Sequence, residues 1–270
     1  MRRRRALTAA ALAAALLVVA AAPAAAGLAD RVGATFVLIA DDFIKAVQPI
    51  EGMIVAAEGG LLYLDLGADQ GVQAGQELTV FRKGDAFRHP LSGKVLGRYE
   101  TVLGYAQVKR VYANFSEAAF IPVPDKPAPQ PEDGVRITRG RIKIAITPVL
   151  DLTGGHADVR RVPYMLASIL ERSKRFQVVD PLALSDMFAD GRVRTEDMLA
   201  RPERAIRAAR NLEVTGWLVP VLLERRGTIY LDATWISAIT GTPLFSRRHA
   251  VLPAGAVEEP RFPWEPRPED

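Results

Sequence analysis

The chain has 270 residues, with 35 Lys and Arg against 31 Asp and Glu, three histidines and no cysteine. Arg2 to Arg5 account for the whole surplus of +4; without them 31 basic groups face 31 acidic ones, and no general attraction to nucleic acid remains. The missing cysteine excludes disulfide staples, thiol nucleophiles, iron–sulfur clusters and Cys-type zinc sites, so stability must come from hydrophobic cores.

Residues 1–26 read as a secretory signal peptide. Arg2 to Arg5 form the charged start, Ala6 to Ala22 an Ala/Leu/Val run broken by Thr8, and Ala24-Ala25-Ala26 a small-residue cleavage site before Gly27. The alternative is a retained membrane anchor, but the run is alanine-rich and no stop-transfer pattern follows. Without a cysteine there is no lipobox. The mature chain, about 244 residues, is expected in the periplasm, with room for two domains.

Residues 27–47 predict a helix, with Val32, Phe36, Ile39 and Phe43 on one face, opening a first module. From residue 48 to 122 the period changes to two. Met53-Ile54-Val55 and Leu61 to Leu66 predict paired strands, followed by Leu78 to Arg82, Val95-Leu96, Leu103 to Tyr112 and Ala118 to Val123. Five or six short strands with glycine turns and no helix between them predict a small antiparallel β-barrel. Gly67, Gly71 and Gly75 punctuate two of the turns.

Ile121 to Gly134 reads IPVPDKPAPQPEDG, and its five prolines predict an extended linker over residues 123–138. Residues 139–254 then alternate in type. Arg141 to Pro148 is a strand, and Val162 to Leu170 an amphipathic helix with Pro163 in its first turn. Phe176 to Val179 is a strand, Pro181 to Ala189 a helix, and Thr195 to Leu212 a longer helix. Three strands close the module: Trp217 to Leu223, Thr228 to Ser237 and Pro243 to Val251. This order predicts a mixed sheet with helices on one face, so the whole is α+β: a barrel followed by an α/β module. Residues 255–270, with four prolines among acids, read as a disordered tail.

In the first module Leu64-Asp65-Leu66-Gly67, Gly71-Val72, Gly75-Gln76, Val80-Phe81-Arg82 and Gly84 follow one another closely. They run on into His89-Pro90-Leu91-Ser92-Gly93, Val95-Leu96-Gly97 and Gly104. This quarter of the chain resembles the C-terminal barrel of flagellar assembly protein T, a periplasmic protein of the flagellar outer-membrane ring. Ile142 to Val149, Arg175 to Val179, Asp232-Ala233 and Thr240-Gly241 resemble the N-terminal domain of TolB, a shape shared with curli-secretion proteins. The barrel precedes the TolB-like module here, the reverse of the flagellar order. The resemblance implies an envelope-assembly protein with envelope or flagellar basal-body partners, reaching the outer membrane through them.

No chemistry-bearing motif appears. GxxxxGK[ST], GxGxxG, HExxH, GxSxG and SxxK are absent, and His89, His156 and His249 are not spaced as ligands. No catalytic residue, cofactor or metal is therefore expected, and the chain is read as a non-enzyme. The candidate contact residues are Arg201, Arg204, Arg207 and Arg210, a row at every third position that is either a solvated face or a docking surface for an acidic protein or peptidoglycan. Tyr230 on a strand and Trp264 in the tail complete the set. A ligand site or an enzyme site between the modules is the alternative reading.

Overall fold

A computed structural model describes residues 27–155, 157–190 and 193–253. The leader, His156, Trp264 and the tail lie outside these residues. The architecture is α+β, with two sheets.

The first sheet contains β1 (Ile50–Glu58), β2 (Leu61–Leu64), β3 (Glu77–Arg88), β4 (Val95–Val111), β5 (Ser116–Pro122) and β6 (Gly134–Ile137). In the order β1-β2-β5-β4-β3-β6 every strand is antiparallel to both neighbours, and β6 pairs with β1 to close a barrel. Alternation sends Leu62 and Leu64, Leu78 and Val80, Ala106 and Val108 inward, where they meet Ile54, Leu103, Ala118 and Val135.

The expected linker does not extend over all of 123–138. Its last residues, Gly134 to Ile137, are β6, hydrogen-bonded to Ile50–Met53 on one side and Thr79–Phe81 on the other. Proline-rich backbone cannot fill such a position, because a strand paired on both sides needs its N–H groups. The prolines stop at Pro131, and the barrel closes just after them. Gly134 fits because Phe81 lies against it; a Cβ there would sit 2.3 Å from the ring.

The second sheet follows: β7 (Ile142–Ile146), β8 (Leu150–Leu152), β9 (Phe176–Val178), β10 (Gly216–Arg225), β11 (Thr228–Ser237) and β12 (Pro243–Ala250). Its order is β12-β11-β10-β7-β9, with β8 beside the far half of β10. The pairs β7–β9 and β7–β10 are parallel, and β10–β11–β12 is an antiparallel meander.

Among the described residues five α-helices accompany it: α1 (Leu28–Ala46), α2 (Val162–Arg172), α3 (Pro181–Ala189), α4 (Thr195–Ala200) and α5 (Pro202–Leu212). They cover both faces, not one. Ile144, Ile146, Leu218, Leu222, Leu231 and Ala233 pack against α1 and α2. Ala145, Trp217, Val219, Val221 and Ile236 pack against Leu184, Met198, Ala205 and Ala209 of α3, α4 and α5. The unbroken apolar run of β10, Trp217 to Leu223, is the pattern of a strand buried on both sides.

Two more expectations change. The helix 27–47, expected to open the first module, puts Val32, Phe36, Ile39 and Phe43 into the core of the second sheet. The helix expected over 195–212 breaks at Arg201, because Pro202 excludes helical backbone from the residue before it.

Candidate docking surfaces and the junction cleft

β3 and β4 outrun the barrel. Beyond Phe81, β3 pairs with no strand but β4 among the described residues, and the ladder continues from Arg82↔Thr101 to Arg88↔Val95. At about 3.3 Å per residue, the two strands project roughly 20 Å as a free-standing arm. The sequence showed two short strands here; the structure joins them into the 17-residue β4. The ladder shifts register between Lys83 and Ala86 and between Phe87 and Arg88, the kind of irregularity that bends a strand pair and raises its twist.

Apolar side chains stud the arm. Phe87, Leu91, Val95, Leu96, Tyr99 and Val102 are all exposed, Leu91 at 93 %. Phe87 and Tyr99 meet edge to face across the strands at 5.6 Å. At the tip, Nδ1 of His89 accepts from the backbone N–H of Leu91 and Ser92, so this histidine shapes a turn. Residues 82–101 carry five basic side chains against Asp85 and Glu100. Arg82 pairs with Asp133, Lys83 with Glu51, and Glu100 with Arg136. Arg88, Lys94 and Arg98 have no carboxylate partner among the described residues, which leaves the outer arm positive.

The arginine row is divided by the structure. Arg201 and Arg204 both reach Asp197, at 3.4 and 2.5 Å, and tie α5 to α4. Arg207 and Arg210 stay exposed, opposite the buried Ala205, Ala208 and Ala209. Tyr230 is half-buried on β11, paired with Leu223 and Ala250. The arm was legible only as a turn sequence at His89 to Gly93; its projection depends on where the barrel ends.

A cleft of about 160 Å³ lies where the barrel meets the second sheet. Glu77 and Thr79 of β3, Tyr105 of β4 and Arg136 of β6 line one side; Trp235, Leu244 and Phe245 line the other. The contact is close. Gly75 has φ +87, and a Cβ on it would lie 2.5 Å from the Leu244 carbonyl oxygen. Ser237 Oγ donates to the Glu77 carboxylate, with 2.8 and 3.0 Å to its two oxygens. Burial is the largest influence on Glu77 and pushes its pKa up to about 7, against the opposing effects of Ser237 and Lys109.

Among the described residues no cluster of His, Asp and Glu could hold a metal, and no helix is long and apolar enough to cross a membrane.

No protein-family model matches the chain, and no curated protein sequence matches it. Among solved structures it is similar to the LpoB C-terminal domain from Escherichia coli, at 20% identity and a TM-score of 0.36, over 43% of this chain and 86% of that one. The corresponding domain from Salmonella enterica gives 20% and 0.35, over 42% and 84%. A lipoprotein from Neisseria meningitidis gives 17% and 0.32, over 40% and 78%.

Proposed function

We propose that this is a non-enzymatic cell-envelope protein that works by docking onto other envelope proteins through the β3–β4 arm. The arm carries the reading. A two-stranded ribbon free on both faces is marginal in water, and exposing Leu91, Leu96, Tyr99 and Phe87 on it is costly unless a partner covers them. The complementary surface is an apolar pocket rimmed by acidic groups, to match Arg88, Lys94 and Arg98. The leader pattern of residues 1–26 supports an envelope address, and the lack of any catalytic motif supports a role in contact rather than turnover.

The finer version, a part in the flagellar outer-membrane ring, rests on the residue resemblance alone. The TolB-like reading of residues 139–254 has the same basis. Peptidoglycan binding through the arginine row has less to stand on, since Asp197 occupies two of the four guanidinium groups.

The test is a paired substitution, Leu91→Ser with Tyr99→Ser, in a tagged chain expressed in its native envelope. Chemical crosslinking to envelope proteins should be lost while the thermal midpoint moves by no more than a degree or two. Crosslinking that survives the pair would overturn the arm as the docking surface. Recovery of the unaltered chain entirely free in the periplasmic fraction, with no crosslinked species, would overturn the docking role itself.

A further inference from the structure

The junction cleft presents one group that nothing in the proposed docking role uses. Glu77 lies on β3 with its carboxylate in a wall that is otherwise mostly apolar: Val47, Ile142, Trp235, Leu244 and Phe245. Among the described residues its hydrogen-bond partner is the neutral hydroxyl of Ser237, and no ammonium or guanidinium lies within 4 Å of it. A carboxylate withdrawn from water without a cation is costly, so such a group marks a place where a charge is missing.

The cationic groups nearby are already committed. Arg136 of β6 makes a two-pronged contact with Glu100 and lies over the Phe81 ring at 4.1 Å. Arg141, between β6 and β7, gives Nε and Nη2 to the Phe176 carbonyl at 3.0 and 2.8 Å. Lys109 of β4 acts on Glu77 from a distance, its ammonium held by Gln107. Arg136 and Arg141 thus line the cleft with guanidinium groups held by other partners, and the Glu77 carboxylate beside them has no cation in contact with it among the described residues.

We propose that the cleft is a binding site for a small organic cation with an apolar body, in its simplest form a primary alkylamine, whose ammonium pairs with Glu77. The apolar walls take the alkyl chain, and the Ser237 hydroxyl holds the carboxylate in place. Pairing restores the ionised form that burial disfavours, so binding releases protons below neutral pH. Affinity is therefore highest above pH 7 and falls as Glu77 protonates.

The test titrates the full chain with n-hexylamine, n-hexanol and hexanoate, followed by tryptophan fluorescence and calorimetry at pH 8 and pH 5.5. Hexylamine should bind about tenfold more tightly than either of the others at pH 8 and lose about tenfold at pH 5.5. Glu77→Gln should remove that preference while leaving hexanol unchanged. Ser237→Ala, which keeps the carboxylate, provides a milder weakening should the first variant fail to fold. Tighter binding of hexanoate would assign the cleft to its arginines and overturn the proposal. Equal binding of hexylamine and hexanol, or no binding of any probe, would overturn it as well. None of these outcomes bears on the arm, whose crosslinking is measured separately.

Discussion

Arg175 joins three segments through backbone carbonyls. Its guanidinium donates to Val47 at the end of α1, at 2.6 Å, to Thr138 at 2.7 Å and to Gly140. The residue is 7 % exposed, so these carbonyls have little water to replace the bonds. Arg175→Ala should cost about 3 kcal/mol, read as a lower urea midpoint, since charged hydrogen bonds are lost and buried acceptors left bare. Arg175→Lys should recover less than half, because one ammonium cannot span the fork of a guanidinium. A midpoint unchanged by Arg175→Ala would contradict this. In the sequence Arg175 was one member of the stretch Arg175 to Val179; its role needs Val47, Thr138 and Gly140, which lie far off along the chain. The opposite held for the arginine row. Its spacing was visible, but the link from Arg201 and Arg204 to Asp197 depended on the break at Pro202.

Helix α1 shows how an element's period reveals its face but not its neighbour. Val32, Phe36, Ile39 and Phe43 repeat at helical spacing, and they are the residues buried. Their partner is the distant end of the chain: the Phe43 ring lies 5.8 Å from Phe36 and 5.2 Å from Phe245 of β12. Arg247 of β12 also reaches Asp42, and Arg31 donates to the Leu252 carbonyl. Phe43→Ala should therefore destabilise the second sheet, by about 4 kcal/mol, through lost transfer energy and the cavity left behind. Trp217 and Trp235 both lie in that sheet and report it by fluorescence. A loss seen only in barrel signals would refute this placement of α1. The arm is the converse case: Val95 to Val111 alternates and pairs as a strand should, yet nothing local says that its first half stands outside the barrel.

Across the whole molecule, barrel and second sheet are held together by few but close contacts. α1 lies on the second sheet and leads directly into β1; Gln76 donates to the Ala46 carbonyl; Ser237 donates to Glu77; Gly75 touches Leu244. These contacts predict one cooperative unfolding transition, with tryptophan fluorescence and far-UV circular dichroism coinciding. Gly75→Ala should separate the two signals, measured in a Trp264→Phe background. Alanine is strained at φ +87, and its Cβ would press on the Leu244 carbonyl, loosening the junction without entering either core. Coincident and unshifted transitions in this variant would show that the junction carries no coupling.

The chain's periodicities alone determined the leader pattern, the switch from a helix to period-two strands near residue 48, the alternating order of elements after residue 139 and the absence of catalytic motifs. These are local properties, set by spacings of two to four residues and by the backbone limits of glycine and proline. Tertiary structure decided the rest. It placed α1 on the second sheet, closed the barrel with Gly134 to Ile137, covered both faces of the second sheet with helices, freed the arm and opened the cleft beside Glu77. Each of these depends on contacts between segments tens to hundreds of residues apart, such as Phe43 with Phe245 or Glu77 with Ser237. An amphipathic face records that it must be buried, and only the packed molecule decides against what.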